Sequence, residues 1–113
     1  RTTFEQNRYL MDPHTAVASH VLRQYQAETG DRTPTVIVST ASPYKFAGDV
    51  LAAIAGPDAA GLDAFRCAER LEDMTGIPVP PQVQALPSLP VLHTAQCEKD
   101  RMAEAVLRAF GNM

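Results

Sequence analysis

One β-branched run, at residues 35–39, is the feature that most restricts what this 113-residue chain can fold into. The run has no polar alternation, which is typical of a parallel strand that helices cover on both faces. Such a strand needs neighbours on both edges, and a right-handed crossover needs a second strong strand. The chain adds only a weaker run at residues 91–93. We therefore predict an α/β fold with one or two strands, three to four helices and a sheet that is incomplete in this chain.

Two helix starts with the same chemistry flank this run. Asp12 precedes Pro13, and Ser42 precedes Pro43. A short polar residue can cap a helix, and proline suits the first helical position, where its missing N–H group has no partner to lose. Gly30 marks the expected end of the helix that starts at Pro13. The sequence thus predicts a helix on each side of the strand.

The second half of the chain should hold two more helices and a connector. A third helix is predicted over about residues 62–74, and a last one from near Cys97. Between them, residues 77–90 contain five prolines, which predict an extended connector with a turn of helix near residues 83–86. We treat residues 1–113 as one fragment of a longer chain, an expectation that the first residue, Arg1, also favours.

Helical spacing predicts a buried face on each of the four helices, because apolar residues three and four apart share one side. In chain order the predicted faces are Val17, Val21 and Tyr25 with Ala18 and Leu22; Phe46, Val50 and Ile54 with Ala47 and Leu51; Leu62, Phe65, Ala68 and Leu71; and Met102, Val106, Ala109 and Phe110.

Composition excludes several classes of function. The formal net charge is −3 and the basic residues are scattered, so no stripe attracts nucleic acid. No apolar run approaches the roughly 20 residues of a membrane helix. Cys67 and Cys97 read as free thiols of a reducing cytoplasm. With His93 they match no zinc spacing, so we predict no metal site.

Polar residues at the end of the predicted strand are the candidates for a binding site. Ser39, Thr40 and Ser42 lie where open α/β sheets bind ligands, next to the partial positive charge of a helix N-terminus. The alternative is that they only end the strand and cap the helix. Asp12 and His14 could approach the same place, although helix capping alone explains Asp12.

Four segments in one order resemble the C-terminal part of threonine synthases. Residues 39–46, read as Ser-Thr-Ala-Ser-Pro-Tyr-Lys-Phe, are similar to a strand exit of that family, which often carries His where this chain has Ser42. Residues 9–17 resemble the helix start that precedes that strand. Residues 75–80 and 89–93 are similar to the family's tail.

The resemblance implies the C-terminal fragment of a lyase with the tryptophan-synthase-β-like fold, fold type II of the pyridoxal-phosphate enzymes. Such enzymes convert O-phospho-L-homoserine and water to L-threonine and phosphate. In that fold a neutral hydroxyl contacts the pyridine nitrogen of the cofactor, and Thr40 is the matching position in this chain. The family's Schiff-base lysine and phosphate cup lie upstream, so we expect no catalytic residue and no activity in the isolated fragment. Lys45 does not match the Schiff-base position and is expected at the rim of the site.

Two other functions stay open at this point. The chain could belong to another enzyme of the same cofactor fold, such as a hydroxy-amino-acid dehydratase, or it could be a non-catalytic α/β interaction module. The proline-rich tail favours threonine synthase. A bare sheet edge would also pair readily with another copy, so we expect self-association of the fragment.

Overall fold

The computed structural model describes residues 1–56 and 61–111, and that part of the chain is built from helices. Two of the helices precede residue 31, two pack together in the middle, and two follow residue 80. They are α1 (Thr2–Asn7), α2 (Pro13–Thr29), α3 (Ala47–Ala55), α4 (Ala64–Thr75), α5 (Pro81–Ala85) and α6 (Met102–Gly111), with 3₁₀ turns at Pro43–Phe46, Leu86–Ser88 and Lys99–Arg101.

The predicted α/β fold with one or two strands and an incomplete sheet is wrong for this structure, because the described residues are helical and contain no strand. Neither residues 35–39 nor residues 91–93 form a strand, and no strand occurs elsewhere in the described ranges. Val36 and Val38 are 88% and 76% exposed instead of buried on both faces. β-Branched residues favour a pleated, half-buried surface, but a strand forms only against a partner. The described residues supply no such partner.

The first predicted helix start is confirmed as the beginning of α2. The Asp12 carboxylate accepts hydrogen bonds from the backbone N–H groups of His14, at 2.9 Å, and Thr15, at 3.3 Å. Pro13 occupies the first helical position. At the other end Gly30 adopts φ 72°, a left-handed conformation that glycine reaches without steric cost. The Asp12 carboxylate therefore fixes the start of α2, and the left-handed backbone of Gly30 fixes its end.

Three other helix starts lie close to their predicted positions, whereas α6 begins at Met102, after a 3₁₀ turn, and not near Cys97. The Ser42 hydroxyl accepts from the Tyr44 N–H at 3.2 Å, and the 3₁₀ turn that it caps leads into α3. Asp63 caps α4, and Gly76 ends it as predicted. The turn of helix expected near residues 83–86 is found as α5. The short helix α1 was not predicted.

A small core forms where α3 packs against α4. Leu51 of α3 and Leu71 of α4 have no exposed surface. The Tyr44 hydroxyl donates to the backbone carbonyl of Ile77 and so ties the start of α3 to the segment after α4. The other buried apolar side chains around this pair are Phe4, Leu10, Ala47, Val50, Cys67, Ala68 and Val79. Helical spacing therefore located the buried face of α3, but only half of the face predicted for α4, where Leu62 and Phe65 are 49% and 40% exposed.

Two predicted buried faces are exposed in this structure. Val17, Val21 and Tyr25 on α2 are 63%, 55% and 49% exposed. Residues 35–38 run beside this face and leave an open groove of about 610 Å³ between them. The helix α6 has no buried residue among those described. Helical spacing correctly predicted which side of α2 and of α6 is apolar, but the prediction that these sides are buried was wrong.

The helices are arranged in an elongated shape. The principal extents are 58, 35 and 25 Å, and the radius of gyration is 19.2 Å. A compact domain of this length would have a radius of gyration of about 13 Å. None of the described helices combines the length and the apolar character needed to cross a membrane.

Candidate functional site

The start of α2 and the segment before α3 meet at a cluster of three oxygen-bearing side chains. Thr15 Oγ1 lies 3.0 Å from Ser39 Oγ, although 24 positions separate them in the sequence. Ser39 Oγ lies 3.3 Å from Asp12 Oδ2, across 27 positions. The Thr15 hydroxyl also donates to Asp12 Oδ2. These contacts fix the position of Ser39 against the first turn of α2, and they place Thr40 next to it.

Asp12 is the centre of this cluster and is 1% exposed. Hydrogen bonds lower the pKa of its carboxyl from 3.8 to about 2, the largest contribution coming from the Thr15 hydroxyl. Burial opposes this shift, and the backbone N–H groups of Thr15 and His14 add to it. Because donors surround the carboxylate, its charged form is the stable one at neutral pH. The cluster therefore carries one fixed negative charge.

His14 connects the cluster to the turn before α3. Its Nδ1 atom lies 3.2 Å from Asp12 Oδ1, and since an ionised carboxylate only accepts, Nδ1 carries the proton of this hydrogen bond. The imidazole packs edge-on against the Phe46 ring, with 5.0 Å between the ring centroids. Lys45 Nζ lies 5.9 Å from the centre of the same ring, within reach of a cation–π contact. Polar and cationic groups thus converge beside the segment that contains Thr40.

Thr40 and Ser42 differ in what their hydroxyls can do. The Ser42 hydroxyl caps the turn by accepting from the Tyr44 N–H group. Thr40 is exposed, between Ser39 and the half-buried Ala41. A threonine hydroxyl can donate one hydrogen bond and accept two, so Thr40 can meet a ligand atom of either kind.

Other residues that the sequence raised as candidates lie away from this cluster. Cys67 is buried in the core between α3 and α4, while Cys97 is exposed, and both thiols are free. His20 and His93 are exposed. Across residues 1–56 and 61–111, no group of three or more His, Cys, Asp or Glu side chains is arranged to hold a metal ion.

Thr15 and Phe46 were missed as members of the site. Asp12 and Thr15 are three positions apart, the spacing at which a cap residue meets the first turn of its helix, so this pair could have been found from sequence. The contact between Phe46 and His14 joins two segments distant in the chain, and no local pattern indicates it.

Comparison with known proteins identifies the family of the chain. The family model described as "Threonine synthase, C-terminal" matches residues 15–106. The chain belongs to this family. Thr15, Ser39 and Thr40 all lie within the matched range, and Asp12 lies just before it. The prediction of a threonine synthase C-terminal portion is confirmed.

A curated relative supports the same family over a shorter stretch. The threonine synthase of Corynebacterium glutamicum is 47% identical over 45 residues, which is 40% of this chain and 9% of the relative. The matched stretch is therefore a small part of that protein's length. No solved structure matches the chain.

Proposed function

We propose that this chain contributes the C-terminal part of a threonine synthase, a pyridoxal-phosphate-dependent lyase that forms L-threonine and phosphate from O-phospho-L-homoserine and water. The family match over residues 15–106 carries the proposal. The cluster around Asp12 supports it, because it holds in place the segment that the resemblance associates with the cofactor. The activity is that of a complete enzyme, and the part held by this chain is expected to be inactive alone.

Thr40 is the residue that we propose for contact with the cofactor. Pyridoxal phosphate, when bound, supplies an electron sink for the amino-acid substrate. A neutral hydroxyl suits its pyridine nitrogen because threonine can donate or accept, and it does not force a proton onto the ring as a carboxylate would. The exposed Thr40 hydroxyl fits that requirement, and the capped start of the 3₁₀ turn lies two residues further on.

The rest of the segment would serve to position Thr40. Ser39 is held by Asp12 and Thr15, and Ser42 caps the turn into α3. Lys45 stays at the rim, in contact with Phe46, and we assign it no covalent role. In this proposal the chain binds and orients, and the lysine that carries the cofactor lies outside it.

Substitution of Thr40 in the complete enzyme tests the proposal. A net hydrogen bond between neutral groups contributes about 0.5–1.5 kcal/mol, so Thr40→Ala should lower kcat/KM for phosphate release by about 2- to 10-fold. Thr40→Ser keeps the hydroxyl and should retain most of the activity. Thr35→Ala is the matched control, since it removes an exposed threonine hydroxyl from the same segment.

The same measurements separate the competing functions. Unchanged turnover and unchanged cofactor absorbance in Thr40→Ala would contradict the role of Thr40. A complete enzyme that deaminates hydroxy amino acids, and releases no phosphate from O-phospho-L-homoserine, would instead be a dehydratase. A complete protein that binds no pyridoxal phosphate would be a non-catalytic interaction module.

A further inference from the structure

Asp12 makes more hydrogen bonds than a helix cap requires. An ordinary N-cap carboxylate accepts from one or two backbone N–H groups of the first turn. Among the residues that the structure describes, Asp63, the cap of α4, does only that, with the N–H groups of Phe65 at 2.9 Å and Arg66 at 3.1 Å. Asp12 accepts from two backbone N–H groups and three side chains, those of His14, Thr15 and Ser39. The additional contacts need a reason besides capping.

Proton positions in the cluster show how the contact to Ser39 works. Thr15 has one hydroxyl proton, and its closest acceptor is Asp12 Oδ2, so that proton points to the carboxylate. Ser39 Oγ then donates its own proton to Asp12 Oδ2, at 3.3 Å, or to Thr15 Oγ1, at 3.0 Å. Both arrangements orient the Ser39 hydroxyl towards the buried carboxylate.

Burial makes this link effective. Asp12 and Thr15 are 1% and 7% exposed, so little water competes for their hydrogen bonds. Ser39 is exposed, and in the described residues its side chain is held through these two partners. The geometry therefore transmits the position of the first turn of α2 to the backbone that carries Thr40.

We propose that Asp12 is a positioning residue for the cofactor contact at Thr40, acting through Thr15 and Ser39. This inference rests on the proposed function, since it requires that Thr40 meets the cofactor. It goes beyond capping, because it predicts that breaking the link to Ser39 changes cofactor binding even when α2 keeps its cap.

The substitution Asp12→Ser separates these two roles. Serine caps a helix about as well as aspartate, so α2 retains its first-turn hydrogen bond. Its hydroxyl is one atom shorter than a carboxylate and has a single oxygen, so it cannot serve the cap and Ser39 together. Asp63→Ser is the matched control, because it makes the same replacement at a cap that contacts only its own first turn in the described part of the chain.

Cofactor affinity in the complete enzyme is the measurement, followed by the absorbance of the bound cofactor. A net hydrogen bond corresponds to about a 2- to 10-fold change in an equilibrium constant, so Asp12→Ser should raise the Kd for pyridoxal phosphate by about that factor. The absorbance maximum should shift in the same direction as in Thr40→Ala. Asp63→Ser should leave both unchanged.

A double-mutant cycle shows whether Asp12 acts through Thr40. In a Thr40→Ala background, Asp12→Ser should add no further loss of affinity. Additive losses would overturn the inference, since Asp12 would then act elsewhere. Equal losses in Asp12→Ser and Asp63→Ser would overturn it as well. If Thr40→Ala alone has no effect, the proposed role of Thr40 fails instead.

Ser39→Ala provides a second route if Asp12→Ser does not fold. This change removes one exposed hydroxyl and leaves the cap of α2 intact. We expect the same rise in Kd and the same non-additivity with Thr40→Ala. Wild-type affinity in Ser39→Ala would contradict the inference.

Discussion

At the scale of single residues, Asp12 combines burial, five hydrogen-bond donors and a low pKa. A carboxyl whose pKa is lower in the folded state than in the unfolded chain stabilises the fold when it is ionised. His14 is the only ionisable side chain that bonds to it among the described residues. The stability of the first turn of α2 therefore depends on pH through the ionisation of Asp12.

A pH prediction follows from the direction of that shift. The pKa falls from 3.8 to about 2, so the stabilisation is complete above about pH 4 and is lost as the pH falls through about 2. In urea unfolding of the chain, the difference between wild type and Asp12→Asn should be largest near neutral pH and should shrink over this window.

The control for this experiment is Asp63→Asn, which removes a capping carboxylate that is exposed. It corrects the comparison for replacing a capping carboxylate by an amide, since asparagine caps a helix about as well as aspartate. A difference between wild type and Asp12→Asn that stays constant from pH 5 to about pH 2 would contradict the prediction.

The residue scale also shows how far the sequence could lead. Asp12 and Ser42 were predictable as caps because a cap contacts backbone groups two or three positions away. The contact between Asp12 and Ser39 was not predictable, since 27 positions separate the two residues and no local pattern joins them. Contacts between residues close in the sequence could be predicted, whereas contacts between distant segments could not.

At the scale of elements, α3 and α4 are the pair on which the fold depends. Helical spacing predicted the buried side of α3 and, on α4, the buried Ala68 and Leu71 but not the exposed Phe65. Leu51 and Leu71 are fully buried where the two helices meet. The same spacing on α2 and α6 identified apolar faces that stay exposed. Periodicity reports which side of a helix is apolar, whereas burial depends on a second element being there to cover it.

The stability of this pair can be tested by truncating Leu71. Replacing a fully buried leucine by alanine removes apolar contacts and leaves a cavity, at a cost of about 2–5 kcal/mol. We expect Leu71→Ala to lower the free energy of unfolding by that amount, as measured by chemical denaturation.

Leu107→Ala is the matched control, because Leu107 lies on α6 and is 72% exposed. It should change the free energy of unfolding by less than about 0.5 kcal/mol. Similar losses for the two variants would mean that α6 is packed in solution, contrary to this structure.

The β-branched run at residues 35–39 is an element that the sequence predicted and the structure does not contain. Its composition predicted a buried strand, but strand formation requires hydrogen bonds from a neighbouring segment. Helix α2 instead lies beside residues 35–38, and only Ile37 of the three central apolar residues is partly buried. A helix carries its hydrogen-bond partners within itself, which is why the helices were predicted more successfully than the sheet.

At the scale of the whole molecule, the chain leaves much of its apolar surface in water. Its radius of gyration of 19.2 Å exceeds the value of about 13 Å for a compact domain of this length. Among the described residues, the large apolar side chains that are at least three-quarters exposed are those of Val36, Val38, Val91 and Leu92. Exposed apolar patches of this kind are typical of interaction surfaces or of aggregation.

We therefore predict that the isolated chain self-associates through the segment beside α2. Sedimentation velocity should show a mass that rises with protein concentration. Replacing Val36 and Val38 together by threonine keeps the β-branched shape and removes apolar surface, so this variant should associate less. A wild-type chain that stays monomeric over the same concentrations would contradict the prediction.

Hydrogen bonds hold both ends of the segment from Ser39 to Ser42. Ser39 is tied to Asp12 and Thr15, and Ser42 opens the turn that Pro43 begins. The chain therefore loses the conformational entropy of these four residues when it folds. A ligand that docks on Thr40 then meets backbone that is already ordered, and less of its binding energy is spent on ordering the protein.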